Sequence, residues 1–317
     1  MTRAKHLAAY AAVVAALPYL VLKAVWLAGG TVGVKASTPD GAMLDTLNAV
    51  TMLMDATAIL LALAFVSRWG RRLAAAPVLF PMWVGTGFLG PIVLAVVPAV
   101  LIGAARGVNV FTAGGGIVEP WVYEMVYAGF IVQGLALLTA FTLYARERWP
   151  RLPAQPLPAE LRLLAAFMVV LQAATGVICL YWGFGGTAGL PDGADGFTGR
   201  FLQAVFGLLS IGAAVGLART RRGFTWRTFA LIWVGAGADF AWGLWLILNM
   251  VVDSPLGGGS RLGLLGLVSL FRLMSGTVVG MLAAVALTTR RAAPDPSGAP
   301  EPAVAAARTG ADERLGG

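Results

Sequence analysis

Long apolar segments separated by short polar ones dominate the chain. Eight segments are apolar for 18 residues or more, at about 7–29, 44–67, 77–100, 122–145, 161–184, 200–218, 228–251 and 262–288. A helix of that length crosses the hydrocarbon core of a bilayer. The pattern therefore predicts an all-α integral membrane protein with eight transmembrane helices.

A repeated motif divides these segments into two sets of four. Residues 22–34 (LKAVWLAGGTVGV) return as residues 178–190 (ICLYWGFGGTAGL), 156 positions later. The shared residues are Trp26/Trp182, Gly29/Gly185, Gly30/Gly186, Thr31/Thr187 and Gly33/Gly189. Two further short repeats follow in the same order: residues 40–42 match 192–194, and residues 83–87 match 233–237. The repeat predicts two tandem four-helix units.

The predicted units have definite bounds. The first covers residues 1–149 and the second covers residues 161–291, with a stiff proline-rich cytoplasmic linker at 150–160. Residues 292–317 are rich in Ala, Pro and Gly and are predicted to be a disordered cytoplasmic tail. An even number of spans gives both units the same orientation, so an axis along the membrane normal should relate them.

Composition and charge agree with a membrane protein. Charged residues make up 12% of the chain, whereas soluble domains carry about a quarter. On the predicted topology, 17 of the 23 Lys and Arg residues fall on the side that holds both termini. The positive-inside rule makes that side cytoplasmic and predicts a multi-pass protein of the plasma membrane. The net charge of +8 therefore reflects topology rather than nucleic-acid binding.

Several chemistries have no residues to support them. The chain has one histidine, His6, and one cysteine, Cys179, which disfavours haem ligation, a histidine zinc site and a CxxC redox pair. It also has no P-loop and no DDxxD diphosphate motif. We therefore predict no metal and no cofactor, and we expect Cys179 to be a core residue.

Five ionisable residues lie inside the predicted spans: Lys23, Asp55, Glu124, Asp239 and Arg272. A charge at bilayer depth costs about 2.5–3.5 kcal/mol or more, so such residues face a bundle interior or a cavity. One interpretation is structural, with Lys23 pairing an acid and Arg272 pairing Asp239. The other is a functional cavity that the charges line together.

A functional cavity favours two activities. A carboxyl group in apolar surroundings can stay protonated and act as a general acid, and aromatic faces stabilise a developing carbocation. That combination predicts a membrane-embedded enzyme that cyclises a lipophilic, prenylated substrate, an isomerase of the terpene-cyclase type. The alternatives are a proton- or ion-coupled small-molecule transporter, whose helices should be interrupted, and a non-catalytic membrane protein with structural ion pairs.

The candidate residues follow from this hypothesis. The predicted catalytic acids are Asp239, Glu124 and Asp55, and we expect them to line one cavity. The predicted substrate-binding residues are Trp242, Phe240, Trp245, Tyr123, Tyr127, Asn48, Lys23 and Arg272. The expected partners are the lipid bilayer and a lipophilic small molecule; the sequence leaves the oligomeric state open.

The second copy of the repeat also carries a family resemblance. Residues 181–190 (YWGFGGTAGL) resemble the signature of small four-helix membrane proteins of actinobacteria, whose function is not assigned; the histidine that precedes the Tyr-Trp pair in that signature is absent here. The resemblance implies two fused units and no activity. In size, span count and buried acids the chain is similar to membrane-bound terpene cyclases, without a shared motif.

The topology is testable with reporter fusions. Fusions after Gly115 and Gly258 should report the outside of the cell, and a fusion after Pro153 should report the inside, because the Lys and Arg residues favour cytoplasmic termini. Alkaline phosphatase and green fluorescent protein give opposite signals on the two sides. An inside signal at Gly258 would contradict the model of two equal units.

Overall fold

The chain forms eight long helices. A computed structural model describes residues 2–35, 42–107, 110, 117–149, 156–191, 196–222, 224–251 and 263–288. The helices are α1 (Thr2–Leu27), α2 (Ala42–Val66), α3 (Ala76–Ala105), α4 (Pro120–Arg148), α5 (Arg162–Gly183), α6 (Phe197–Arg219), α7 (Trp226–Val251) and α8 (Leu264–Thr288). Two short 3₁₀ turns, Ala159–Leu161 and Thr220–Arg222, precede α5 and follow α6.

All eight helices are long and apolar enough to cross a membrane. The prediction of an all-α protein with eight transmembrane helices is confirmed. In the described part of the chain no strand forms, and an isolated bridge between Val34 and Val118 joins two loops. Several predicted features lie outside the described residues. They are the short repeat at 40–41 and 192–194, most of the linker, the tail and the three proposed fusion points.

Seven of the eight described helices pack mainly within their own half of the chain, whereas α3 packs more extensively on α7 and α6 of the other half. In the second half, α5 packs on α6 and α8, and α7 packs on the same two helices, which closes a four-helix ring. In the first half, α1 packs on α2 and α4, and α3 packs on α4. The halves meet chiefly where α3 packs on α7 and α6. The helices α1 to α4 are called the first unit below, and the helices α5 to α8 the second unit.

The repeated motif builds the same loop in both units. The indole N–H of Trp26 donates to the carbonyl of Val32 over 2.8 Å, and that of Trp182 donates to the carbonyl of Ala188 over 2.9 Å. The chain turns at glycines with positive φ, Gly29 and Gly33 in one loop and Gly185 and Gly189 in the other, where other residues would be strained. The shared residues therefore build the same structural loop in each unit.

Core positions also recur at fixed offsets. Buried residues of α1 and α5 coincide at an offset of 156, as with Ala9 and Ala165; those of α2 and α6 coincide at 152, as with Ala62 and Ala214. The repeated glycines of α3 and α7 are 150 positions apart, as with Gly87 and Gly237. Buried residues of α4 and α8 coincide at an offset of 142, as with Leu137 and Val279. Each residue of one unit thus has a defined equivalent in the other.

Two glycines let the units touch backbone to backbone. A Cβ on Gly87 of α3 would lie 2.1 Å from the carbonyl oxygen of Gly237 on α7. The neighbouring tryptophans then cross over: Trp83 stacks on Phe240 of the second unit, with ring centroids 5.0 Å apart, and Trp233 stacks on Phe141 of the first at 5.8 Å. Small residues at a helix crossing permit this close packing.

Replacing Gly87 by alanine should separate α3 from α7. We expect Gly87→Ala to lower the free energy of unfolding by about 1–3 kcal/mol, the usual cost of overpacking a tight contact. Gly85→Ala is the matched control, because a Cβ there meets no atom within 4 Å. Thermal unfolding in detergent checks both variants, and equal midpoints would contradict the proposed contact.

Candidate functional site

The second unit encloses a charged side chain that solvent does not reach. Asp239 of α7 is fully buried. Its carboxylate accepts a hydrogen bond from Nε of Arg272 on α8, with N and O 2.8 Å apart. Both of its oxygens also lie within hydrogen-bond distance of the Ser210 hydroxyl on α6, at 2.7 and 2.8 Å. The predicted pairing of Arg272 with Asp239 is confirmed.

A fourth helix completes this cluster. Gln172 of α5 is fully buried. Its amide lies close enough to the Asp239 carboxylate to stabilise it, and no hydrogen bond of normal length and angle joins the two groups. Gln172, Ser210, Asp239 and Arg272 are called the polar cluster below. Since each residue comes from a different helix of the second unit, the cluster occupies the centre of that four-helix ring.

The polar cluster leaves hydrogen-bonding capacity unused. Nη2 of Arg272 and both amide atoms of Gln172 are buried and have no hydrogen-bond partner among the described residues. Buried polar atoms of native proteins are nearly always hydrogen-bonded to protein or to ordered water. The cluster is therefore equipped to hold a further small polar group.

An aromatic ring covers the cation of the cluster. The Arg272 guanidinium lies 3.9 Å from the ring centroid of Phe206, a cation–π contact. Phe206 packs on Trp242 with centroids 5.3 Å apart, and the Trp242 indole donates to the carbonyl of Phe88 in the first unit over 3.3 Å. The polar cluster thus connects through aromatic side chains to the interface between the units.

The first unit has its own ion pair in a different place. Nζ of Lys23 on α1 lies 2.7 Å from Oδ2 of Asp55 on α2, and it also lies 3.8 Å from the ring centroid of Tyr19. Both charged side chains are buried. The prediction that Lys23 pairs with an acid is confirmed, and the acid is Asp55.

Neither ion pair has a counterpart in the other unit. The polar cluster residues Gln172, Ser210, Asp239 and Arg272 are equivalent to Ala16, Ala58, Leu89 and Phe130 of the first unit. The residues equivalent to Lys23 and Asp55 are Cys179 and Gly207. Each unit thus packs apolar residues where the other has charges. Charges at these two places are therefore not shared by the units.

The expectation that Asp55, Glu124 and Asp239 line one cavity needs correction. Asp55 pairs within the first unit, and Asp239 pairs within the second. Glu124, near the start of α4, is exposed. The sequence of a single span does not reveal which helices become its neighbours. Asp55 and Asp239 are each bound to a cation of their own unit.

The predicted substrate-binding residues are likewise dispersed. Trp242 lies beside the polar cluster, whereas Phe240 stacks on Trp83 at the unit interface. Trp245 meets Phe88 edge to face at 6.5 Å. The remaining residues, Asn48, Tyr123 and Tyr127, belong to the first unit and are half-buried. Only Trp242 and Arg272 of that set are shown in contact with the cluster or its aromatic neighbours.

Sequence inspection missed two members of the cluster, Gln172 and Ser210. An isolated Ser or Gln in an apolar helix is common and carries no signal by itself. The repeat alignment could have revealed both, because their equivalents in the first unit are the alanines at 16 and 58. Cys179, in contrast, is buried in a hydrophobic cluster with Trp182 and Phe206, as expected.

Comparison of the chain with protein-family models, with curated proteins and with solved structures finds no match. The site must therefore be interpreted from its own geometry.

Breaking the Asp239–Arg272 pair should cost more than removing it. Asp239→Leu or Arg272→Met alone should lower the free energy of unfolding by about 3–5 kcal/mol, because each leaves an unpaired buried charge. The double variant should recover most of that loss, since the first unit already packs apolar residues there. Thermal or denaturant unfolding of all three variants measures the coupling, and additive losses would refute the pairing.

Proposed function

We propose that the polar cluster is the functional site of a membrane-embedded enzyme that acts on a lipophilic, prenylated molecule. The reaction proposed is an acid-initiated cyclisation, the chemistry of membrane-bound terpene cyclases. The proposed site differs from the sequence-based hypothesis, because one unit supplies it and Asp55 and Glu124 are not part of it.

The difference between the units is the observation that supports this proposal most. Four polar residues from four helices meet in the second unit, at positions where the first unit has two alanines, a leucine and a phenylalanine. Replacing a buried ion pair by apolar residues is often neutral or stabilising. A cluster that the scaffold does not need, at a depth where charge is costly, is best explained by a function.

Asp239 is the acid in the proposed reaction. Its carboxylate, which is paired with Arg272, first takes up a proton from water. The resulting carboxyl group transfers that proton to a double bond or an epoxide oxygen of the prenyl chain, and the electrons of the next double bond attack the cation that forms. Loss of a proton from the cyclic cation returns the proton to the carboxylate, directly or through water. Product and substrate are isomers, so the cycle consumes no cofactor.

The neighbouring rings suit a cationic intermediate. Phe206 already holds the Arg272 guanidinium against its face at 3.9 Å, and Trp242 packs against Phe206. A π face that attracts a guanidinium also attracts a carbocation. Because Asp239 and Arg272 are buried together, the substrate must separate helices of the second unit to reach them.

A structural role is the second candidate. The observation that favours it is the direct pairing of each buried acid with a base, Asp55 with Lys23 and Asp239 with Arg272. Transport has less support, because α1 continues through Pro18 and α3 continues through Pro81, Pro91 and Pro98, whereas transporters place their sites at interrupted helices.

Asp239→Asn separates the enzymatic proposal from the structural one. The amide keeps the shape of the side chain but cannot act as the acid, so product formation should fall by about 100-fold or more. Membranes carrying the variant are incubated with prenylated aromatic substrates and analysed for cyclised product by mass spectrometry. Thermal unfolding of the same preparation establishes that the variant is folded.

Asp45→Asn is the matched control, because Asp45 is an exposed carboxylate at the start of α2; it should leave the conversion rate unchanged. Asp55→Asn and Glu124→Gln test the two acids that the proposal leaves out. Conversion by Asp239→Asn at the wild-type rate, or no conversion by the wild type, would refute cyclisation at Asp239.

A further inference from the structure

We propose that the second unit contains a water-filled polar passage that leads to Asp239 from one end of the bundle. That end, where α1 ends and α2 begins, is called the far end. The passage is formed by Gln203, Asn249, Gln172 and Arg272. It is independent of the reaction proposed above, since it concerns access of water to the polar cluster and not its chemistry.

Unpartnered buried polar atoms mark the passage. Among the described residues, the buried side-chain nitrogen and oxygen atoms without a hydrogen-bond partner all belong to the second unit. They are Nε2 and Oε1 of Gln172, Oε1 of Gln203, Oδ1 of Asn249 and Nη2 of Arg272. Leaving a buried polar atom unpaired costs about 1–3 kcal/mol. Five such atoms in one unit therefore require an explanation.

These residues extend in one direction from Asp239. Asn249 follows Asp239 by ten residues on α7, which is about 15 Å of helix towards the far end. Gln203 precedes Ser210 by seven residues on α6, about 10 Å in the same direction and on the same helix face. Gln172 and Arg272 lie at the level of the polar cluster. The unpartnered atoms therefore occur at three levels of the second unit, from the middle of the bundle towards its far end.

The first unit has no such series in its described residues. The equivalent of Asn249 is Ala99, which is fully buried. The equivalent of Gln203 is Thr51, whose hydroxyl donates to the carbonyl of Leu47 over 2.9 Å. The passage is thus confined to the unit that contains Asp239.

The mixture of donors and acceptors identifies water as the occupant. Nη2 of Arg272 can only donate, whereas the unpartnered oxygens of Gln203 and Asn249 can only accept, and Gln172 offers both. A bound cation would not suit the guanidinium, and a bound anion would not suit the amide oxygens. Water donates and accepts, and buried waters commonly satisfy such atoms with two to four hydrogen bonds. A connected series of waters would also carry protons to and from Asp239.

Cysteine accessibility tests the passage without any substrate. Asn249→Cys and Ala99→Cys are made in a Cys179→Ala background and treated with a cationic, membrane-impermeant methanethiosulfonate reagent. A thiol must be hydrated and ionised to react. We expect Asn249→Cys to react at least tenfold faster than Ala99→Cys, and only when the reagent is added at the far end. Mass spectrometry of the intact protein gives both rates.

Gln203→Cys and Thr51→Cys form a second equivalent pair, both at half-buried positions, and guard against misfolding of one variant. Equal rates within both pairs, whether slow or fast, would overturn the passage. The same rate order should persist in Asp239→Asn. If Asp239→Asn forms no product and the labelling rates are equal within both pairs, the passage is rejected and the cyclisation proposal stands. If the labelling rates differ and Asp239→Asn converts substrate at the wild-type rate, the cyclisation proposal is rejected and the passage stands.

Discussion

The cost of placing a charge in an apolar interior governs the arrangement of this protein. In the described residues, the charged side chains at the centres of the spans lie inside the bundle and touch an opposite charge. Asp239 is surrounded most completely, by Arg272, Ser210 and Gln172. This pairing keeps the charges of α7 and α8 inside the bundle and away from lipid.

The two units share a scaffold and differ in their polar interiors. The Trp–Gly loops, the burial pattern and the Gly87–Gly237 crossing are common to both. The ion pairs are not, because Lys23 and Asp55 join α1 to α2, whereas Asp239 and Arg272 join α7 to α8. Each unit can therefore be compared with the other, position by position. The positions where one unit has polar residues and the other has apolar residues identify the candidate functional site.

A structural feature could be predicted from the sequence when the residues that form it are close together along the chain. Eight apolar segments are a local property, so the helices were predictable, and adjacent spans made the Arg272–Asp239 pair predictable as well. Contacts between non-adjacent helices were not, which is why one shared cavity was expected where Asp55 and Asp239 occupy separate sites. Gln172 and Ser210 lacked a local signal, and their contribution became visible when four helices came together.

The central claim is that the polar cluster serves a function and not the fold. The most direct measurement is the thermal unfolding midpoint of a variant in which Gln172 and Ser210 become Ala, Asp239 becomes Leu and Arg272 becomes Met. The four positions of the cluster are then apolar, as their equivalents in the first unit are. The account predicts a midpoint equal to or above that of the wild type. A midpoint far below it, or failure to fold, would show that the cluster holds the second unit together and would contradict the claim.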